Sequence, residues 1–220
     1  MLIIIMRISS LGIDVDSHNV MVIGPPLVGK TILVRTILKE KVCEGFGGIY
    51  VTTKDTAETV LEWFERFGVS DLMIIDCVSR TIFSDAPDTD TVKRVSIMDL
   101  TGISVRINTF LDRFLKAGKR DVAIAFDSVS TVLMYLNAQT VFRFLHVLTN
   151  RIKSFGAFAF YTVDENMHDE RTVAMLKQLF TGVIEVKEEE NRRYLRYISP
   201  SLRTEWREFT ISGDVLEVSS

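Results

Sequence analysis

The stretch "VMVIGPPLVGKTILV", Val20 to Val34, decides the fold. An apolar run ends at Gly24, and Gly29-Lys30-Thr31 follows five residues later. This is the spacing G-x-x-x-x-G-K-[ST] of a phosphate-binding loop. Glycines at 24 and 29 let the backbone turn tightly and aim its N–H groups inward at an anion. A helix opening near Lys30 adds its positive dipole end. The run Gly24, Pro25, Pro26, Leu27, Val28, Gly29, Lys30 and Thr31 is therefore the candidate nucleotide cradle. Lys30 is placed to reach the β- and γ-phosphates, and the Thr31 hydroxyl to join a Mg2+ shell. A cradle this complete is expected to bind ATP or ADP with Mg2+.

Outward from the loop, short β-branched runs alternate with helical patterns. Val20–Gly24 reads as a strand and Lys30–Cys43 as a helix. "GGIYVTT" (Gly47–Thr53) and "DLMIIDC" (Asp71–Cys77) read as strands around a helix at Ala57–Phe67, with Val60, Leu61, Phe64 and Phe67 at helical spacing. Ile103–Lys116, Thr140–Phe155 and Arg171–Phe180 read as helices, and "DVAIAFD" (Asp121–Asp127) and "GAFAFYTV" (Gly156–Val163) as strands. The tail from Gly182 reads as a β-meander, with "EEENRR" as its first turn. The polar stretch Ser79–Thr101, with Pro87 and four aspartates, breaks the rhythm and reads as a long excursion. The fold class is thus α/β, a mostly parallel sheet covered by helices on both faces with a C-terminal antiparallel meander. No linker divides residues 1–220, so a single domain is expected.

Composition narrows the function classes. The chain has 220 residues, 47% hydrophobic and 25% charged, a globular balance. A formal charge of −3 gives no global field for nucleic acid. The two cysteines, Cys43 and Cys77, show no metal or redox spacing and fit a reducing compartment. The opening "MLIIIMR" is too short to span a bilayer and lacks a cleavage site, so it reads as a buried first strand. A cytoplasmic protein with no membrane contact is the expectation. His18, His146 and His168 are scattered singly and suggest no metal site.

A phosphate-loop site needs a second carboxylate at a neighbouring strand end. Asp76 in "LMIIDC" and Asp127 in "VAIAFDS" both qualify, and spacing does not choose between them. A resemblance does. The runs "AFDSVSTVLMY", "FGAFAFYTVDENMHDE" and "FTGVIEVKEEENRRYLRYIS" resemble RecA-superfamily ATPases of the KaiC and RadA kind. "FRFLHVLTNRI", "MDLTGI" and "DSVSTVL" resemble more closely an archaeal single-domain branch of them. The resemblance spans nearly the whole chain. It implies a RecA-like core and makes Asp127 the metal-side carboxylate, acting on Mg2+ through water.

The chain departs from that pattern where chemistry happens. The family's strand after the loop helix ends in a glutamate, often doubled, that acts as general base. Here the matching stretch is "YVTTKDTAE", with Lys54 in the first position and Asp55 in the second. An ammonium cannot accept a proton from water at neutral pH. Asp55, one methylene shorter, is the candidate catalytic carboxylate, with Glu58 and Glu165 as alternatives. KaiC-like assemblies also send a Lys-x-Arg pair into the neighbouring subunit's site. "SPSLRTEW" keeps Arg203 as candidate trans arginine but has Ser201 at the lysine position. The loops that bind DNA in recombinases correspond to "SVSTVLMYLNAQ" and "VDENMHDE", which carry no Lys or Arg. Tight DNA binding is not expected.

The reading is an ATP/Mg2+-binding, KaiC-like protein with weak or no hydrolysis, a nucleotide-dependent regulator or assembly partner. It would self-associate and act with a protein partner that the residues do not name. The alternative is an active ATPase of DNA recombination or repair, like RadA. Small-molecule phosphotransfer ranks third, because no Arg-rich lid follows the loop.

Overall fold

The computed structural model of the chain describes residues 5–82 and 87–219. A hairpin opens it, β1 (Met6–Ile8) and β2 (Ile13–Val15) joined through a 3-10 turn at Ser9–Leu11. There follow β3 (Asn19–Gly24), α1 (Lys30–Cys43), β4 (Gly47–Thr52), α2 (Ala57–Glu65), β5 (Leu72–Asp76), α3 (Ser79–Ile82) and β6 (Val92–Arg94). Next come α4 (Leu100–Lys116), β7 (Val122–Asp127), α5 (Val129–Tyr135), α6 (Ala138–Phe155), β8 (Phe158–Asp164) and α7 (Glu170–Lys177). The chain closes with β9 (Gly182–Glu189), β10 (Arg192–Ile198), β11 (Arg207–Ser212) and β12 (Val215–Val218).

Among the described residues, ten strands form one sheet in the order β12-β11-β10-β9-β3-β8-β7-β4-β5-β6. From β9 to β6 the neighbours run parallel, and β10, β11 and β12 turn back antiparallel. The central strands are buried on both faces, which is why they are apolar along their whole length. Alternation splits each strand between two cores. Val20 and Val22 pack with Leu33, Ile37, Trp63 and Phe64 on one face, and Met21 and Ile23 with Ile107, Phe110, Leu145 and Leu148 on the other. The expected α/β class, doubly covered sheet and antiparallel tail are all present. The turn between β9 and β10 is Glu190-Asn191, both at positive φ, the two-residue geometry that matches strand twist.

The apolar opening is in part the buried strand it reads as: Met6–Ile8 forms β1, with Met6 and Ile8 buried, and pairs with β2, while residues 1–4 lie outside the described residues. Two stretches differ from their reading. The polar stretch after Ser79 contributes α3 and the edge strand β6, parallel to β5. Residues 83–86 of that stretch lie outside the described residues. "VSTVLMY" after Asp127 forms α5, where β-branched content masked a short helix capped by the Ser128 hydroxyl. No helix among the described residues is long and apolar enough to cross a membrane.

The hairpin is hooked onto the last turns of α1. The Glu40 carboxylate accepts the Ser9 and Ser10 backbone N–H groups at 2.6 and 2.8 Å. The buried Lys41 ammonium donates to the Arg7 carbonyl and pairs with Glu44 at 2.7 Å.

Candidate functional site

Register brings the candidate residues to one edge of the sheet. Gly24 on β3 lies beside Asp164 on β8, and Thr52 on β4 beside Asp127 on β7. β3, β8, β7 and β4 are consecutive in the sheet, so their C-terminal ends form a single rim. The loop from Gly24 to Gly29 leaves that rim and feeds α1. Gly29 has φ of 100° and Leu27 φ of 64°, the left-handed turns that point successive N–H groups to one side. A Cβ on Gly24 would lie 2.3 Å from the Val186 carbonyl oxygen, so packing there requires glycine. Lys30 is buried, donates to the carbonyls of Gly24 and Pro25, and pairs with Asp164 at 2.9 Å. Burial lowers its pKa, and the Asp164 carboxylate opposes that shift.

Asp127 is engaged mainly by side chains from the neighbouring strands. Thr162 Oγ1 donates to its Oδ1 at 2.6 Å and Tyr50 OH to its Oδ2 at 2.9 Å. Lys54 Nζ stands 3.3 Å from Oδ1. Burial alone would raise its pKa. The Lys54 charge and the neighbouring hydroxyls outweigh burial and hold it below the usual carboxylate range. Lys54 is positioned by its neighbour Thr53. The Thr53 N–H donates to the Asp127 carbonyl at 2.8 Å, its hydroxyl oxygen accepts the Ser128 N–H at 2.7 Å, and its hydroxyl faces the Ser128 carbonyl at 3.0 Å. The Asp127–Ser128 peptide bond so clamped is cis.

Residues 17–186, which contain every member of this rim, match a single family model. The chain belongs to the family of unknown function DUF7504. No curated protein matches it. Among solved structures it is similar to the KaiC-like protein PH0186 from the hyperthermophilic archaeon Pyrococcus horikoshii OT3, at a TM-score of 0.66 and 16% identity. That likeness covers 92% of this chain and 89% of the other. At this identity it shows the fold: a RecA-like, KaiC-like α/β core.

The DUF7504 rim treats the other candidates differently. Asp55 pairs with Arg35 at 2.6 Å, and Arg35 in turn reaches Tyr50 OH at 3.3 Å. Glu58 pairs with Arg94. Glu165 is exposed and its side chain has no hydrogen bond or ion pair among the described residues, while its N–H donates to the Gly24 carbonyl at 2.8 Å. Asp76 is fully buried and serves the backbone. Its carboxylate accepts the N–H groups of Ala57, Val78 and Ser79 at 2.8–2.9 Å and the Ser79 hydroxyl at 2.5 Å. Arg203 is exposed, bridged to Ile198 between β10 and β11, and Ser201 donates its hydroxyl to Asp16.

Sequence reasoning passed over Tyr50, Thr162 and Asp164. Asp164 ends the apolar run "FAFYTVD" just as Asp76 and Asp127 end theirs, so the same strand-end rule finds it. Tyr50 is a tyrosine inside a doubly buried strand, and a buried phenol needs a partner.

Proposed function

We propose that this chain binds ATP or ADP at Gly24–Thr31 and holds it with weak or no hydrolysis, as a nucleotide-dependent regulator or assembly partner. One observation carries the reading. Beside the metal-side carboxylate Asp127, where a general base is expected, stands the Lys54 ammonium at 3.3 Å. Asp55, the next residue, is engaged by Arg35. The loop N–H groups and Lys30 bind the phosphates, Lys30 exchanging Asp164 for the ligand. Thr31 and Asp127 present hard oxygen donors that suit Mg2+, and these two residues would hold it. Bound there, the ion neutralises phosphate charge. Orienting a water and accepting its proton is a separate task, worth about 10²–10⁴-fold.

The archaeal single-domain branch, a cytoplasmic setting and an unidentified protein partner belong to the same proposal. So does the absence of tight DNA binding, which the uncharged segment of α5 after β7 and the acidic loop after β8 support. The second reading is a working ATPase of the RadA kind, favoured by the unengaged Glu165 carboxylate beside the loop.

Calorimetry with Mg2+ and ATP tests the first claim. Lys30→Ala should weaken binding by roughly tenfold to a hundredfold, the loss of a charge-assisted contact. Unchanged affinity in that variant would make the motif decorative. Phosphate release by wild type should stay near background. A rate of about one per second or faster, an ordinary enzyme value, selects the ATPase reading instead. Salt-sensitive, sub-micromolar binding of a single-stranded oligonucleotide would select its recombination form.

A further inference from the structure

A carboxylate offers about four lone-pair positions. Those of Asp127 face three donors: the hydroxyls of Thr162 and Tyr50, and the Lys54 ammonium. Only Lys54 brings charge. Its placement is built in, because Thr53 clamps the Asp127–Ser128 peptide from both sides and residue 54 leaves the strand directly beyond. Asp127 is 1% exposed at its side chain whereas Lys54 is 33% exposed, so the ammonium covers the open side of an otherwise enclosed anion.

Three charge pairs line the rim. Lys30 meets Asp164, Arg35 meets Asp55 and Lys54 meets Asp127. In a phosphate-loop site the divalent ion offsets the repulsion between the phosphates and the nearby carboxylate. Here an ammonium at the same carboxylate oxygen offsets it first. A divalent ion approaching that oxygen must also displace or tolerate a like charge.

We propose that Lys54 is a resident counter-cation that takes over the charge neutralisation of the divalent ion at Asp127, so that nucleotide binds almost equally well with and without Mg2+. The inference rests on the nucleotide-binding reading above and adds a metal-independent mode to it. Lys54 is a specificity residue here: it sets which cation accompanies the ligand.

The test is calorimetric titration of ADP, which removes turnover from the measurement, in excess Mg2+ and in excess EDTA. For wild type the two dissociation constants should agree within about threefold, under 1 kcal/mol in binding free energy. For Lys54→Met, of similar length and uncharged, they should separate by at least about tenfold, with the tighter value in Mg2+. Lys54→Arg should return the pair to near agreement, a rescue that follows charge rather than packing. Wild type that needs Mg2+ by tenfold or more overturns the proposal, as does a Met variant indifferent to Mg2+. ADP that fails to bind wild type in either buffer overturns the nucleotide-binding reading itself, and this inference with it.

Discussion

Burial by itself would raise the pKa of Asp127, and the Lys54 charge and neighbouring hydroxyls reverse that shift. Its folded pKa lies below the unfolded value of about 3.9, so its contribution to stability is present above roughly pH 4 and is lost as pH falls below it. Asp127→Asn should therefore flatten the acid limb of a urea-unfolding profile, and an unchanged limb would place acid sensitivity elsewhere. Lys54 bears on rate as well as charge. Lys54→Glu puts a proton acceptor beside the phosphate cradle and should raise phosphate release at least roughly tenfold, a modest part of the general-base range. A variant that binds ATP normally yet gains no activity would show that residue 54 is not in the base position. At this scale the motif residues were legible because their spacing is fixed by backbone geometry. Thr162 and Tyr50 were not, since nothing local marks a hydroxyl that meets a carboxylate from 35 or 77 residues away.

Among the elements, β5 and α2 show what a strand-end carboxylate does when it serves the backbone. Asp76 ties the first residue of α2 and the start of α3 to the end of β5. Asp76→Ala would strand three backbone donors and a hydroxyl in a buried place. It should cost about 3 kcal/mol or more in chemical denaturation. A loss near zero would mean the neighbouring backbone relaxes onto water. Asp76 and Asp127 were equal candidates by spacing; in the fold Asp76 holds backbone N–H groups and Asp127 holds side-chain donors. The long apolar strands and the helices with a clear stripe could be read from periodicity. β6 has three residues and α5 seven, too short for a period to appear, and both owe their form to the strands beside them.

At the scale of the whole molecule, the antiparallel strands extend the sheet beyond β9 and carry Arg203 out on the turn between β10 and β11. An exposed arginine there, with no ion pair among the described residues, is suited to a phosphate held by a second copy. ATP should promote self-association, and Arg203→Ala should weaken it, as read by light scattering. A monomer with and without ATP would count decisively against a trans role. The hook on α1 has a different consequence, one of time. With Glu40 and Lys41 fastening the far end of that helix to the opening hairpin, α1 is not free to slide when a ligand arrives at its start. What must give way is one side chain, Lys30, leaving Asp164. Such a rotation is quicker than the collective shifts that take about microseconds to milliseconds. Nucleotide capture should then be paced by encounter alone, its observed rate climbing in proportion to concentration and never levelling off.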